Sequence, residues 1–473
     1  MRCRLTERMA TRSVSVKTAR LIIQTITLAA VLSLTACAGV WADAKQYRKS
    51  SELLQKREFD ALVKETEQKQ NKLYKHKDRA IKYLDLGMLY HYNGDYAKSN
   101  QYLEQAELTI DDLFTKSVSK AALSMLLNDN VLEYSGEDYE DIYTNAFKAL
   151  NYLHLNNFDA AFVEIRRINM KLDLLEDKYA KMSENLNASE NRKAEFKAGS
   201  NKFYSSALGR YLSMIIYRQE GKIDDAYIDY VKLLEAFETQ PEIYPFDPPP
   251  LVNPHEQTGQ TLLHVVSHVG RAPRKQSKEI NLATSRDRIT FVGIDEDIFP
   301  LSIYWPGIDP NLYFKFVMPY LVNEDSEIGR VEVVVDSLVY DLALLENIGS
   351  VAEQTFKVKQ PLLLLKNATR TIAKGLAGQM VKQQMKKNNK DLTGDLLSLG
   401  TDIALYFSEK ADLRSSRYFP NAVLVADIPL APGEYNITVN YYDRFGYLIL
   451  SDVKGLVSVS GRKLNLIESW QLQ

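Results

Sequence analysis

The spacing of apolar residues changes once along the chain. Over residues 45–239 apolar side chains recur every three or four positions and Gly and Pro are scarce, which predicts a succession of amphipathic helices. Further on the period is two, as at Leu262, His264 and Val266, which predicts β-strands. We therefore expect an α+β protein, with an all-α part over 45–239 and a β-rich part over 258–473.

The helical part contains a repeated pattern. Its first copy comprises Tyr83, Leu86, Gly87, Tyr90, the Gly-Asp-Tyr run at 94–96, Ser99, Leu103 and Ala106. This spacing resembles a tetratricopeptide helix pair, in which small residues let two helices approach closely. Weaker copies place Tyr152 and Tyr217 at the position of Tyr90, 62 and 65 residues apart, about twice the 34-residue unit. The pattern predicts a tetratricopeptide-like solenoid; an unrelated helical bundle is the alternative.

A proline-rich segment at 240–257 separates the two parts. Five prolines lie between Pro241 and Pro250, and such a run cannot continue a helix and favours an extended spacer. We therefore expect a linker and a domain boundary here.

The β-rich part is interrupted by helices. Strands are predicted at 262–269, 289–292, 313–317, 331–335 and 338–342, and again at 422–427, 434–442, 447–450, 456–459 and 464–467. Between the two groups a helical pair is expected at about 351–408, broken near 388–394. A Pro-Gly turn before an alternating strand, as at 432–433, is frequent in β-sandwich modules, so we expect a sandwich-like domain with a helical insertion.

The N-terminal region has the pattern of an export signal. Basic residues, among them Arg12, Lys17 and Arg20, precede an apolar run at 21–36, which is shorter than the ~20 residues that span a bilayer. The run ends in Leu-Thr-Ala-Cys at 34–37, which resembles a bacterial lipobox. The resemblance implies that the thiol of Cys37 receives a diacylglyceryl group, that cleavage follows Ala36 and that the new amine is acylated. An ordinary secretory signal with an incidental cysteine is the alternative.

This resemblance also implies a location. Residues 1–36 would be the signal peptide and residues 37–44 a tether to the lipid anchor. Ala38 and Gly39 follow the cysteine, whereas retention at the inner membrane is associated with Asp at the second mature position. We therefore expect the protein on the periplasmic face of the outer membrane.

Charge and cysteine content exclude several classes of function. Without residues 1–36 the chain has 53 basic and 60 acidic residues, a net charge of −7, which gives no support for nucleic acid as a partner. The only cysteine besides Cys37 is Cys3, inside the signal. The mature body therefore has no disulfide, no zinc-thiolate site and no cysteine nucleophile.

Two stretches of the β-rich part extend the resemblance to a family. They are 259–275, and 411–420 together with 430–435. Both resemble signatures of a proteobacterial family of tetratricopeptide-containing lipoproteins whose function is uncharacterised. The family's second signature has Thr, Trp and Leu where this chain has Leu413, Ser416 and Phe419. The resemblance brings no catalytic residues with it.

Histidines and carboxylates are the candidates for metal binding. His264 and His268 share a face of a strand or a helix, and His255 is near in sequence, but zinc needs three or four ligands and no third is specified. Two polar histidines on the solvent side of a strand are the alternative. The acidic run at 295–297 lacks the Gly and Glu of a calcium loop, so a solvated turn is expected there. We expect neither a metal nor a cofactor.

Two other groups are candidates for binding. Asp412 and Arg414 flank one residue, so they share a face and could clamp a loop; a structural ion pair is the alternative. Lys366, Arg370 and Lys374 form a basic stripe on the helix after Pro361, which could lie on anionic lipid or polyanionic glycan. A solvated helix face is the alternative.

The sequence favours a non-catalytic role. It contains no Gly-x-Ser-x-Gly elbow, no His-Glu-x-x-His and no phosphate-binding Gly-rich loop. Our leading hypothesis is a lipid-anchored protein-interaction scaffold of the cell envelope, with a protein partner on the helical part. The alternatives are a glycan-binding protein, enzyme or enzyme activator in cell-wall or polysaccharide metabolism, and a structural component of an envelope complex.

Overall fold

The fold is known from a computed structural model, which describes residues 49–119, 129–188, 195–256, 261–294, 302–324, 326–387 and 411–472. The chain divides into two compact units, Met1–Leu62 and Val63–Gln473. The first lies mostly outside the described residues. The second contains every side-chain contact described below, and it mixes helices and strands, so the α+β class is confirmed.

Helices fill most of the N-terminal half. They are α1 (Phe59–Leu73), α2 (Arg79–Tyr92), α3 (Tyr96–Ser119), α4 (Asp138–His154), α5 (Phe158–Asn187), α6 (Ala207–Gln219) and α7 (Ile223–Thr239), with single turns of 3-10 helix at His76–Asp78 and Asp129–Val131. Helices α2 and α3, α4 and α5, and α6 and α7 form three antiparallel hairpins. The predicted repeat copies coincide with these hairpins.

The three hairpin turns share one hydrogen-bond pattern. The carbonyl oxygens of Tyr90, Tyr152 and Tyr217 each accept from the main-chain N–H five residues later, at distances of 2.9–3.0 Å. The residue before each donor, Gly94, Asn156 or Gly221, has a positive φ. This is the Schellman ending of a helix, which needs a residue that tolerates the left-handed region. The tyrosine spacing in the sequence thus marked three equivalent helix ends.

Gly87 sets the distance between α2 and α3. A Cβ at Gly87 would lie 2.5 Å from Leu103 Cδ2 and 2.7 Å from Leu103 Cγ. The Ser99 hydroxyl donates to the carbonyl oxygen of Gly87 across 2.8 Å. Only a residue without a side chain allows this approach.

Twelve strands lie in three sheets among the described residues. The strands are β1 (Thr261–Val269), β2 (Arg274–Ser285), β3 (Arg288–Val292), β4 (Ser302–Tyr304), β5 (Tyr313–Val322), β6 (Ile328–Val335), β7 (Leu338–Asp341), β8 (Ala343–Asn347), β9 (Ala422–Leu430), β10 (Gly433–Asp443), β11 (Leu448–Val459) and β12 (Asn465–Gln471). The first sheet has the order β12-β1-β9-β8, the second β11-β10-β6-β7 and the third β4-β3-β2-β5. Strands β1 and β12 are parallel, and the other described pairs are antiparallel.

Two hydrophobic cores hold these sheets. The first and second sheets enclose one core, with Leu263 and Val265 of β1 packed among Val333, Val439 and their neighbours. The third sheet packs against α5 and against α8 (Ile348–Lys387) in the other core. The helix α8 therefore lies between the helical hairpins and a sheet.

Several elements differ from the expectations. Strands β2, β4 and β8 were not predicted, and the two strands expected at 447–450 and 456–459 form one strand, β11. Helix α8 runs through Pro361 without ending. The expected break near 388–394 and the second helix of the insertion, which was expected to end at about residue 408, lie outside the described residues.

The proline-rich segment has no helix or strand over residues 240–256, as its sequence predicts. It is nonetheless packed into the protein, because the side chains of Ile243 and Tyr244 are buried. The expectation that it serves as a domain boundary stays a prediction.

The first sheet presents a polar face to the helices. The Glu346 carboxylate of β8 accepts hydrogen bonds from the hydroxyls of Tyr143 (α4) and Ser206 and from the main-chain N–H of Leu208 (α6). Asp427 of β9 accepts from the Tyr211 hydroxyl across 2.9 Å. Buried polar bonds thus join α4 and α6 to the sheet.

Candidate binding cleft

The segment 411–420, one of the two family-like stretches, is attached to the helices. The Ser416 hydroxyl donates to Asp85 Oδ1 of α2 across 2.8 Å, and the Ser416 main-chain N–H donates to Glu140 Oε1 of α4 across 2.5 Å. The Tyr92 hydroxyl donates to the main-chain oxygen of Tyr418. Asp85 and Glu140 are both buried, so these bonds are sheltered from water.

Asp412 and Arg414 form a bidentate ion pair in this segment. Arg414 Nε donates to Asp412 Oδ1 across 2.8 Å, and Nη2 donates to Oδ2 across 2.7 Å. The guanidinium also donates to Asp78 Oδ1 and to the main-chain oxygens of Asp129 and Leu132, each at 3.0 Å. Burial opposes ionisation of Asp412, but Arg414 outweighs it and lowers the pKa of Asp412. The pair therefore orders the loop, and we assign no ligand to Arg414.

The predicted basic stripe does not form a surface. Lys366 and Arg370 are buried, with relative exposures of 9% and 2%. Lys366 Nζ donates to Asp129 Oδ1 across 2.5 Å, and Arg370 Nη2 donates to Asn367 Oδ1 across 2.7 Å. Lys374 is half-buried. The expectation that Lys366 and Arg370 lie on lipid or glycan is wrong because both side chains are packed inside the protein.

Lys366 and Asp412 nevertheless meet at a cleft of about 390 Å³. The cleft lies between α3, the 129–137 connection, α5 and α8, with β2 and β5 contributing one residue each. Its apolar lining is Leu113, Phe114, Leu132, Tyr134, Tyr179, Met182, Leu186, Pro319, Phe356, Leu362 and Leu363; its charged lining is Lys116, Asp129, Glu133, Glu137, Lys178, Lys275, Lys359, Lys366 and Asp412. This size falls in the range of ligand pockets.

Lysines of the cleft are held by carboxylates. Lys275 Nζ donates to Glu137 Oε1 across 2.6 Å, and Lys359 Nζ donates to Glu137 Oε2. Lys178 Nζ donates to Asp138 Oδ1 across 2.7 Å. Burial opposes ionisation of Glu137, but the two ammonium groups outweigh it and lower the pKa of Glu137. Glu137 is therefore ionised and bonded to both lysines, and these paired groups form part of the wall of the cleft.

Aromatic rings of the wall are placed beside these cations. Lys178 Nζ lies 4.4 Å from the centre of the Phe114 ring, and Lys275 Nζ lies 5.1 Å from that of Tyr134. Such contacts add about 0.5–1 kcal/mol each at exposed sites. The aromatic rings of the cleft therefore lie beside its lysines and are attracted to them.

A larger cavity, of about 580 Å³, lies between the third sheet and α8. Its lining includes Ser277, Ile294 and Gln360. The chain next to Ile294, residues 295–301, lies outside the described residues, and so does the acidic run at 295–297. We base the proposal below on the first cleft, which combines rings with a dense set of charges.

The histidines singled out in the sequence do not come together. His264 Nδ1 lies 2.7 Å from Asp427 Oδ1, His268 Nε2 lies 2.7 Å from Glu468 Oε1, and the exposed His255 pairs with Asp224. His264 and His268 are buried and face the helices, so the alternative that placed them on the solvent side of a strand is wrong.

Apart from Lys366 and Asp412, the charged residues of the cleft carry no recognisable pattern in the sequence. Glu137 and Lys275 are 138 residues apart, and Glu137 and Lys359 are 222 apart. From sequence alone, a single lysine on a strand or helix is expected to be exposed to solvent. Its carboxylate partner becomes visible only in the folded structure.

Comparisons with protein-family models, with curated proteins and with solved structures gave no match. Cys37, the expected lipidation site, lies outside the described residues. Among the described helices there is none with the length and apolar character to cross a bilayer.

Proposed function

We propose that this chain is a lipid-anchored, non-catalytic protein of the bacterial cell envelope that binds a partner polypeptide in the cleft. In this proposal Cys37 carries the lipid and holds the protein on the periplasmic face of the outer membrane. The support for the location is the basic and apolar N-terminal run that ends in the lipobox-like sequence at 34–37.

The helical part would be a tetratricopeptide-like solenoid of the lipoprotein family that the sequence resembles. Three helix hairpins with equivalent Schellman endings at Tyr90, Tyr152 and Tyr217 support this, as does the close packing of Gly87 against Leu103. Solenoids of this class bind peptides on the surfaces that they form.

The main support for a non-catalytic role is that charged side chains in the cleft are paired with one another. Glu137 is shared by Lys275 and Lys359, and Lys366 is bonded to Asp129. A general acid or base needs a pKa near the working pH and a free path to the substrate. Glu137, which two lysines hold ionised, meets neither condition, whereas a wall of paired charges suits binding.

The cleft fits apolar side chains of a polypeptide. About 390 Å³ is room for one or two large side chains. The rings of Phe114 and Tyr134 would contact them, and the neighbouring charges of both signs would contact the polar main chain beside them. Buried aromatic and aliphatic anchors of this kind supply most of the energy of protein interfaces.

Photo-crosslinking in the envelope tests the proposal. A benzophenone amino acid replaces the half-buried Phe114 of the cleft, and the control places it at Phe445, which is 86% exposed on the β10–β11 turn. We expect one discrete polypeptide to crosslink from position 114 and not from 445. Once purified, that polypeptide should bind this protein in a direct binding assay.

A blocking variant completes the test. Leu363→Arg adds a long charged side chain at the lining of the cleft and should weaken binding of the crosslinked polypeptide at least roughly tenfold, the effect of about 1.4 kcal/mol. Its thermal melt shows that the fold is kept. If positions 114 and 445 crosslink alike, or if Leu363→Arg binds as well as the parent, the cleft is not the binding site.

Glycan binding is the second candidate, and one observation favours it. Phe445 and Tyr447 are 86% and 73% exposed on the turn between β10 and β11. The side chain of Asp443 accepts from the main-chain N–H groups of both residues across 2.8 Å, which fixes the turn. Two rings on a rigid turn could stack on sugar rings.

Sedimentation with peptidoglycan sacculi tests this candidate. Binding that survives moderate salt and is lost in the Phe445→Ala, Tyr447→Ala double variant would support it. The control is Tyr313→Ala, since Tyr313 is 81% exposed on the third sheet. No sedimentation of the parent protein would exclude glycan binding through this turn.

A further inference from the structure

Three histidines surround one carboxylate where the helices meet the first sheet. Glu468 lies on β12, His268 on β1, His91 on α2 and His154 at the end of α4. The side chains of His91, His268 and Glu468 are at most 1% exposed, and that of His154 is 18% exposed. None of these residues lines the proposed binding cleft, and of the four only His268 falls in a family-like stretch, 259–275.

The nitrogens converge on the carboxylate from three directions. His268 Nε2 lies 2.7 Å from Glu468 Oε1, His91 Nε2 lies 3.4 Å from the same oxygen, and His154 Nε2 lies 2.5 Å from Oε2. One ligand atom each of His91, His268 and Glu468 lies within 4.8 Å of the others.

The tautomer of His91 is fixed by its neighbours. The Asn151 amide nitrogen donates to Ser99 Oγ across 2.8 Å and to Asn100 Oδ1 across 2.9 Å. Asn151 Oδ1 must therefore be the atom that faces His91 Nδ1, at 2.7 Å, and it can only accept. The proton of a neutral His91 is consequently on Nδ1.

This leaves a lone pair of His91 pointing at a carboxylate. His91 Nε2 is buried and makes no hydrogen bond with any described residue. A lone pair and a carboxylate oxygen at 3.4 Å repel each other in a buried site unless a cation lies between them. A metal ion or an additional proton would remove the repulsion.

The donor set fits zinc. Imidazole nitrogens and a carboxylate oxygen are zinc ligands, and four of them complete a tetrahedron. Bonds of about 2.0–2.1 Å separate neighbouring ligand atoms by roughly 3.4 Å, so His268 Nε2 would have to withdraw from Glu468 Oε1 by less than about 1 Å. His154 is not one of the residues whose ligand atoms lie within 4.8 Å of one another, so its ring would also have to turn toward His91 and His268 to complete the site. The bond from His91 Nδ1–H to Asn151 is the outer-shell contact that orients a ligand histidine.

We propose that His91, His154, His268 and Glu468 bind one Zn²⁺ ion. With four protein ligands the site is closed, so its role is structural: it ties α2 and α4 to β1 and β12. The metal chemistry is thus separate from the proposed binding cleft.

The neighbouring His264 provides a matched control. It lies on the same face of β1 as His268 and is also buried, but its ionic partner is Asp427, and the Tyr211 hydroxyl lies 3.4 Å from the same nitrogen. If any change of a buried histidine disturbs the protein, variants of His264 and of His268 should both show the disturbance. An effect caused by loss of zinc should appear only in the variant of His268.

Metal analysis of the full chain tests the proposal. The protein is extracted from envelopes in detergent through a tag without histidines, and its zinc is measured by mass spectrometry. We expect about one zinc per chain in the parent and in His264→Gln, and a loss of that zinc in His91→Gln and His268→Gln. Asn151→Ala should weaken zinc binding about 10–100-fold, as judged by competition with a chromophoric chelator.

The parent protein alone gives a second readout, in case a variant fails to fold. After treatment with a chelator its melting temperature should fall, and added Zn²⁺ should restore it with a stoichiometry of one. If the isolated chain is free of metal and added Zn²⁺ leaves its melting temperature unchanged, the cluster binds only a proton and the proposal is wrong. If His91→Gln and His268→Gln both retain the zinc, the metal lies elsewhere and the proposal is equally wrong.

Discussion

The main-chain N–H of Ser416 donates a hydrogen bond to the Glu140 carboxylate across 2.5 Å, although the two residues are 276 positions apart. The other oxygen of Glu140 accepts from the Tyr134 hydroxyl and from the main-chain N–H of Glu137. No cation is bonded to this buried carboxyl among the described residues. Burial, followed by the charge of Glu137, raises the pKa of Glu140 to about 7.

Glu140 should therefore make the protein less stable as the pH rises from about 4.5 to about 7. In that window the unfolded carboxyl has lost its proton and the folded one has kept it, so raising the pH favours unfolding. The full effect is about 3 kcal/mol, at 1.36 kcal/mol per unit of pKa. Glu140→Gln should reduce the slope of the free energy of unfolding against pH, measured in urea at several pH values. Asp85 and Glu346, whose pKa values burial also raises, keep their own contributions.

Glu107→Gln is the control for this measurement. Burial of Glu107 opposes its ionisation, but Lys171 and Lys148 outweigh burial and lower its pKa to about 2. Its contribution is lost only below about pH 4.5, so this variant should keep the slope between 4.5 and 7. A slope in Glu140→Gln equal to that of the parent would contradict the assignment.

Gly87→Ala should destabilise the protein by about 1–3 kcal/mol, and Gly87→Leu by at least as much, because the new side chain overpacks Leu103. Gly209→Ala is the matched control, since a Cβ there would lie 3.7 Å from Ile168, an ordinary contact. That change should be neutral or stabilise α6 by up to about 1 kcal/mol. Equal melting temperatures for the Gly87 and Gly209 variants would contradict the tight α2–α3 contact.

Arg414→Lys should cost about 1.5–3 kcal/mol, because lysine cannot bond Asp412 in bidentate fashion while also reaching Asp78 and two main-chain oxygens. The free energy of unfolding in urea is the readout. Arg330→Lys is the control, since the side chain of Arg330 is 50% exposed. If Arg414→Lys and Arg330→Lys both lower the free energy of unfolding by the same small amount, Arg414 does not order the 411–420 segment.

Cys37→Ser should leave the precursor unlipidated and uncleaved, because the thiol is the atom that would receive the lipid. Labelling with a radioactive fatty acid and membrane fractionation report the result, and Cys3→Ser, which changes the only other cysteine, should behave like the parent. Ala38→Asp should shift the protein toward the inner membrane in a host that uses this sorting rule. A mature-sized outer-membrane Cys37→Ser protein would overturn the lipobox interpretation.

Cleavage in the proline-rich segment should not release two independent domains. A protease site inserted at the exposed Glu256 allows the chain to be cut after folding. We expect the two fragments to co-elute in size-exclusion chromatography, because Glu346 bonds to Tyr143 and Ser206, and Asp427 bonds to Tyr211, in a buried contact. Fragments that separate and each retain their circular dichroism would instead support the domain boundary predicted from the sequence.

The sequence predicts those helices and strands that are marked by turn residues or by a regular alternation of apolar and polar positions. Turn residues such as Gly94 and Gly221, and the alternation in β1 and β6, identified hairpins and strands. Strand β2 was missed because its first half carries mostly charged and polar residues, and only Ile280 and Leu282 mark its buried face.

The sites could not be predicted in the same way. Glu137 meets Lys275 and Lys359, and Glu468 meets His91 and His154, only after the fold brings distant elements together. The spacing of His264 and His268 suggests that the two act together, but the partner of His268 is Glu468, 200 residues away. Spacing in sequence carries no information about a partner at that distance.

Strand β1 has a consequence for the life of the chain before it is folded. Both of its neighbours in the sheet, β9 and β12, follow it by more than 150 residues. A chain exported with its N-terminus first would deliver β1 with both edges bare, and such edges pair readily with other chains. Folding that waits for distant strands is also slow. The protein should therefore depend on a chaperone that holds the unfolded chain during export. In cells that lack such a chaperone the yield of folded protein should fall, while the protein that does fold should be as stable as before.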